Sequence, residues 1–277
     1  MIDKEDINSF NEKNLILVKG DDFIYLLPHP ELRDWISNYT LTFPHQNMMA
    51  EDYTVIPHGS ATLVFYIDDK GNHVDLFGPM SKPTTVGRKA NCCEIIFIVE
   101  FQPAGLFVLT NIRQKELIDK TVPFETIDMK ISKAIVDIIE SSVSVLELIN
   151  NINKLFLLNQ NNNCPIELKL AIRKIIENIG NKSIKDLSSD VSYSERQLNR
   201  IFEQYLGLNI KSFSRLVRVN KAIRLMYGPN NNISDVCDLA GFYDLSHFIH
   251  DFKSVCGITP KEYRDNMSDF YSEIAKF

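Results

Sequence analysis

The apolar positions of this chain change period partway along it. Residues 15–105 hold short apolar runs broken by turn residues. Candidate strands lie at 23–27, 39–43, 53–56, 62–67, 74–77, 84–86 and 94–101, with breaks around Pro28, Pro57, Gly71, Pro79 and Pro103. Strands this short, at this spacing, predict a small antiparallel barrel or sandwich. The runs at 62–67 and 95–99 are almost wholly apolar, as core strands are.

Beyond residue 105 the period becomes helical. Residues 106–129 read as short helices and turns, interrupted at Pro123. Residues 130–158 read as one long helix. Ile131, Ile135, Ile138, Ser142, Val145, Ile149, Ile152 and Phe156 fall at alternating steps of four and three, the spacing of a dimer seam. Leu146, Leu148 and Leu155 widen that stripe, which equally suits a helix packed on its own domain. The polar stretch 159–163 is a short linker. A helix over 165–179 follows, with Ile172, Ile175, Ile176 and Ile179 on its apolar side and Gly180 as its stop. The expected division is therefore 1–158, a linker at 159–163, a second domain at 164–264 and a tail at 265–277.

Within the second domain the pattern repeats. At an offset of 49, Ile184 pairs with Ile233, Asp186 with Asp235, Leu187 with Val236, Val191 with Ala240 and Tyr193 with Phe242. At an offset of 50, Leu198 pairs with Phe248, Phe202 with Phe252, Gly207 with Gly257 and Leu208 with Ile258. Each unit, 184–207 and 233–257, reads as a short helix, a tight turn and a second helix ended by Gly. Ser183 with Asp186, and Ser194 with Gln197, have the spacing of helix starts. Two helices so joined make a helix-turn-helix, whose second helix can enter a DNA major groove. Between the units, 211–227 reads as one helix carrying Arg215, Arg218, Lys221 and Arg224, roughly 25 Å long. Thr259, Pro260 and Glu262 mark a last helix start.

Charge sharpens this division. The net −6 of the 277 residues divides into −8 over 1–163 and +2 over 164–277. Residues 194–224 hold seven Lys/Arg and two Asp/Glu, and a basic face rather than a basic whole is what DNA requires. An apolar fraction of 44% suffices for two cores. The polar, acidic start MIDKEDINSF is not a signal peptide, and no run of about 18 apolar residues predicts a membrane span. The five cysteines, 92, 93, 164, 237 and 256, show no CxxC spacing, which suits a reducing cytoplasm. His29, His45, His58 and His73 form no HxH pair, so no metal and no cofactor is expected. Cys92-Cys93 suggests either an alkyl-accepting or redox pair, or two small apolar residues before a core strand.

The segments SERQLNRIFEQYLGL, RLVRVNKAIRLM, AGFYDLSHFIHDFK and GITPKEYR run in order from residue 194 to 264. Together they resemble the DNA-binding domain of the AraC/XylS family of bacterial transcription regulators. The first half, through Pro57-x-Gly59-x-x-x-Leu63-x-Phe65, Gly78-Pro79 and the segment from Phe101 to Gly105, resembles the cupin-like barrel that precedes that domain in many members. The resemblance implies an α+β chain: an N-terminal antiparallel β-barrel with helices, then an all-α domain of two helix-turn-helix units. It implies a cytoplasmic regulator, more commonly an activator in this family, that binds double-stranded promoter DNA and contacts RNA polymerase. It also implies a small-molecule effector, a homodimer or both, and neither an enzyme nor a membrane protein. By the same resemblance, Arg196, Asn199 and Arg200 contact bases from the first unit. The second unit offers Ser246, His247, Ile249 and His250, and Arg218 and Lys253 contact phosphates. Here the sequence departs from the family, which often has polar or basic residues where Leu245, Ile249 and His250 stand, and Asp251 adds negative charge nearby. No effector-binding residue is implied. Two rivals remain: a cupin-like or cysteine-acceptor enzyme fused to a DNA-targeting module, and a ligand-free dimerisation domain on the same module.

Overall fold

The computed structural model describes residues 2–45, 50–51, 53–160, 164–227 and 232–265. Among them lie the strands β1 (Ile16–Lys19), β2 (Phe23–Leu26), β3 (Ile36–Thr42), β4 (Thr54–Val55), β5 (Thr62–Asp68), β6 (Gly71–Phe77), β7 (Thr84–Thr85), β8 (Ile95–Phe101) and β9 (Thr121–Pro123). Seven form one sheet in the order β1-β2-β3-β8-β5-β6-β9, while β4 and β7 pair as a separate ribbon. All the pairings are antiparallel. The seven expected strands are present. The additional β1 and β9 are edge strands of four and three residues, too short to show a period of two.

The sheet's two faces have different tasks. On one face Tyr39, Leu41, Leu63, Phe65, Phe97 and Val99 enter the largest apolar core. That core is closed by α4 (Glu125–Ser141) and α5 (Val145–Asn159), which follow α1 (Lys4–Ser9), α2 (Gly87–Ala90) and α3 (Gly105–Thr110) in the chain. The side-chain carbonyl of Asn153 on α5 accepts from Tyr39 Oη at 2.9 Å and from the His29 amide at 3.0 Å. Burial pushes the Tyr39 phenol far above its ordinary range, so it stays a donor.

The single helix expected over 130–158 is two helices. Ser142 is extended and its hydroxyl donates to the Ile138 carbonyl, while Ser144 caps α5 by accepting from the Glu147 amide. Serines that bond the local backbone favour such a break, and an apolar period of 3.5 cannot reveal it. The heptad residues Ile131, Ile135, Ile149, Ile152 and Phe156 are buried in the chain's own core and offer no seam to a second copy.

The remaining helices are α6 (Ile166–Glu177), α7 (Ile184–Asp190), α8 (Glu195–Leu206), α9 (Ile210–Met226), α10 (Ile233–Leu239), α11 (Leu245–Cys256) and α12 (Pro260–Asp265). They surround two cores. Leu168, Leu187, Leu198 and Phe202 form the first, and Val236, Phe248, Phe252 and Val255 the second. α9 serves both, giving Ile210, Phe213 and Val217 to the first and Val219, Ile223 and Met226 to the second. Residues 161–163 of the expected linker, Gly228-Pro229 after α9 and residues 266–277 of the tail lie outside the described residues.

The two halves are docked. Phe107 packs on Tyr205 with ring centroids 4.1 Å apart, and Lys115 Nζ lies 2.9 Å from Glu203 Oε2. Asn220 on α9 donates to the Pro57 carbonyl at 3.3 Å. Gly207 has a left-handed φ of +77°, and a Cβ there would stand 2.9 Å from the Gln114 carbonyl oxygen, so both the helix stop and the docking favour glycine.

Candidate functional site

The two helix-turn-helix units are built alike. Ser183 and Asn232 cap the first helix of each, accepting from Asp186 and Asp235 amides. The turns close with equivalent bonds, Tyr193 N to Ser188 O and Phe242 N to Cys237 O, both 3.1 Å. The turn residue with positive φ is Ser192 in the first unit and Gly241 in the second. Ser194 and Asp244 cap α8 and α11, which end at left-handed Gly207 and Gly257. Thr259 and Glu262 then make the expected cap of α12, each bonding the other's backbone amide.

On α8 the buried stripe is Leu198, Ile201, Phe202 and Leu206, leaving Arg196 and Arg200 exposed. The contacts from the first half named above fall on Glu203, Tyr205 and Gly207, in the last turns of α8, and Glu203 is one helical turn from Arg200. Asn199 departs from the sequence expectation. Its amide group donates to the Glu195 carbonyl and accepts from the Ile210 amide at 3.1 Å, tying α8 to the start of α9. An amide so engaged is not presented for adenine unless those bonds break.

On α11, Ser246, His247, Ile249, His250 and Lys253 are exposed, and Phe248, Phe252 and Val255 are buried. Asp251 differs from expectation: it does not face the groove. Its side chain is 4% exposed and meets Arg215 Nε at 3.1 Å, Arg218 Nη2 at 3.4 Å, His247 Nε2 at 3.3 Å and His250 Nδ1 at 3.4 Å. Arg218 is likewise drawn inward. It donates to the Gly180 carbonyl at 2.5 Å, and its guanidinium lies 5.7 Å from the Phe242 ring centre. Arg218 thus joins α9, the turn after α6 and α11. The periodicity of α11 could have found this, because Asp251 falls on the same side as Phe248, Phe252 and Val255.

The first unit is held by other ions. Asp190 Oδ2 lies 2.9 Å from Lys174 Nζ and 2.5 Å from Lys182 Nζ, and those lysines hold its carboxyl below the usual range.

Sequence reasoning placed no site on the other face of the sheet, yet a cavity of about 250 Å³ lies there. Its walls come from β3, β5, β8, the β4–β7 ribbon and, through Asn220 and Ile223, α9. Alternation along each strand was the available signal: 38, 40 and 42, 62, 64 and 66, and 96, 98 and 100 all turn away from the core.

Among the described residues no three His, Cys, Asp or Glu side chains are grouped to hold a metal ion. His73 stacks on Tyr66 and lies 3.0 Å from Asp68, and His29 accepts from the Glu31 amide. Burial raises the Cys93 thiol to about 11, so it is not a ready nucleophile at neutral pH. Among the described residues no helix is long and apolar enough to cross a membrane.

Residues 187–266 match a family described as helix-turn-helix domain, and residues 25–123 match one described as a domain of unknown function. The chain is 32% identical over 99 residues to an uncharacterized HTH-type transcriptional regulator, YisR, of Bacillus subtilis, covering 35% of this chain and 34% of that protein. It is 36% identical over 70 residues to the HTH-type transcriptional activator RhaR of Yersinia pseudotuberculosis, covering 25% and 24%. These matches span about a third and a quarter of the relatives' own lengths. Among solved structures, ToxT of Vibrio cholerae aligns over 80% of this chain and 96% of its own, at 14% identity and a TM-score of 0.43. An AraC-type regulator from Chromobacterium violaceum aligns over 37% and 93%, at 30% identity and a TM-score of 0.35.

Proposed function

We propose that this chain, an AraC/XylS-type protein by its C-terminal DNA-binding domain, is a transcription regulator that reads promoter DNA chiefly with α8. The observation that carries the reading is a pair of like-built units, each exposing one face of its second helix, fixed on a single helix, α9. A rigid spacer of roughly 25 Å suits two helices entering the major groove about one DNA turn, roughly 34 Å, apart. In this reading Arg196 and Arg200, both exposed on α8, donate to guanine O6 and N7. Ser246, His247, Ile249 and His250 give α11 a weaker reading face, and Lys253 contacts phosphate. In this reading Asn199 and Arg218 brace the domain.

The cavity supports a sensing role for the first domain. Its wall includes α9, so an occupant touches the helix that sets the spacing of the units. Activation through RNA polymerase, and a homodimer through a surface other than the buried heptad residues, complete the proposal. It needs no catalytic step, and its place of work is the cytoplasm, where promoter DNA lies.

Footprinting on the DNA upstream of the chain's own gene, with and without a small-molecule extract of the source cells, tests the reading. Protection of a site about two helical turns long, weakening steeply as salt rises, is expected. Binding with no preferred site, with or without extract, contradicts it.

A further inference from the structure

α8 and α11 differ at a pair of positions outside both cores. At the offset of 50, Leu245 and Ile249 of α11 answer to Glu195 and Asn199 of α8. Both are exposed, Leu245 to 45% and Ile249 to 37%, beside the buried Phe248, Phe252 and Val255. One turn apart, they share a side of the helix, and a further turn brings Lys253 into the same row.

The next element of each unit explains why an alkyl group can stand at 249. In the first unit Asn199 accepts from the Ile210 amide, just after Asn209, the cap of α9. The offset of 50 carries Asn209 to Thr259, which caps α12, and Ile210 to Pro260, which has no amide hydrogen. The second unit therefore offers no donor to an asparagine at 249. Polar groups beside the pair are engaged within the unit. Asp244 accepts from the His247 amide at 2.7 Å, and His247 Nε2 and His250 Nδ1 lie 3.3 Å and 3.4 Å from the buried Asp251 carboxylate.

We propose that Leu245 and Ile249 read the methyl groups of thymines, so that the half-site under α11 is specified by methyl contacts. This rests on the reading of α11 as a helix that enters the major groove. The first residues of such a helix meet base edges, and the thymine C5-methyl is the apolar group that the groove presents to them. The row Leu245, Ile249, Lys253 then sets two alkyl groups over bases and an ammonium at the anionic backbone, which is the complementarity that DNA asks for. Four residues of helix rise roughly 6 Å, so the two thymines lie within about two base-pair steps of each other. α8 has no counterpart, since Glu195 is acidic and Asn199 is tied to α9.

Duplexes bound by the full chain are selected from a randomised library, and the half-site that Arg200→Ala leaves unchanged is assigned to α11. Each thymine of that half-site is then replaced by deoxyuridine, which removes the methyl and keeps every hydrogen-bonding group. Affinity is expected to fall about three- to fivefold at each of two positions, and little at thymines of the other half-site. Leu245→Ala and Ile249→Ala should each abolish the deoxyuridine effect at one of the two. The deoxyuridine series on the unaltered chain decides the matter even where a variant fails to fold. A specified half-site that is indifferent to deoxyuridine overturns the proposal in favour of polar readout. An unspecified half-site beside a specified one overturns it too, and leaves this face of α11 to a protein partner. Selection of no preferred sequence in either half overturns the reading of the chain as a sequence-specific regulator, and the proposal with it.

Discussion

The two helix-turn-helix units share a frame and differ on the surface that frame presents. Caps, turn bonds and left-handed glycines coincide, and the core positions Leu198 and Phe202 answer to Phe248 and Phe252. Outward, Arg196 and Arg200 stand where the second unit has Ser246 and His250. Inward, Ile201 stands where the second has Asp251. The first unit packs that position with an alkyl group and ties α7 to α6 through Asp190 and two lysines. The second buries a carboxylate there and draws two arginines of α9 onto it. The two units share the fold and differ in their ion pairs and at their exposed positions.

The largest expected effect breaks the inward half of this comparison. Asp251→Ala leaves Arg215 and Arg218 facing an uncompensated site and should destabilise the second unit by about 3–5 kcal/mol. Ile201→Val, at the equivalent position, should cost only about 0.5–1.5 kcal/mol. Chemical denaturation of both variants checks this, and equal losses would contradict the brace assigned to Asp251.

Asn199→Ala should cost about 1 kcal/mol through the lost bond to the Ile210 amide, with base preference unchanged. Denaturation beside site selection separates these readouts, and a relaxed base position with unaltered stability would restore Asn199 as a reader. The smallest effect is electrostatic. The folded-state pKa of Asp190 lies below its unfolded value, so its contribution is present above the ordinary carboxylate range and is lost as pH falls through the lowered value. Asp190→Asn should therefore lower the melting temperature slightly at pH 7, with a deficit that shrinks as pH falls below the ordinary carboxylate range. A deficit that persists in acid would assign Asp190 a role other than charge.

Much of this was legible in the sequence because local chemistry enforces it. Caps at Ser183 and Ser194, glycine stops and the 49- and 50-residue offsets are short-range signals, and the structure places each where expected. The seven expected strands were legible for the same reason. What escaped reading depends on residues far apart. Asn199 and Ile210 meet across a turn, Arg218 and Asp251 across two helices, and Glu100 shares a cavity with Ile223 of the other half. The break at Ser142–Ser144 escaped for another reason: the apolar spacing runs through it, and only serine's bonds to local backbone interrupt the helix.

The difference between the exposed faces implies that α8 should read bases more strictly than α11. This is tested most directly by selecting bound sequences from a library randomised across both half-sites, with the unaltered chain, Arg200→Ala and His250→Ala. A good bidentate contact discriminates by about 1–3 kcal/mol, whereas an alkyl group senses only a thymine methyl. The expected result is one strongly specified half-site, relaxed at a base position by Arg200→Ala with roughly ten- to a hundred-fold weaker binding, and a weaker half-site in which His250→Ala changes little. Two equally specified half-sites, or a larger loss of specificity with His250→Ala than with Arg200→Ala, would contradict it.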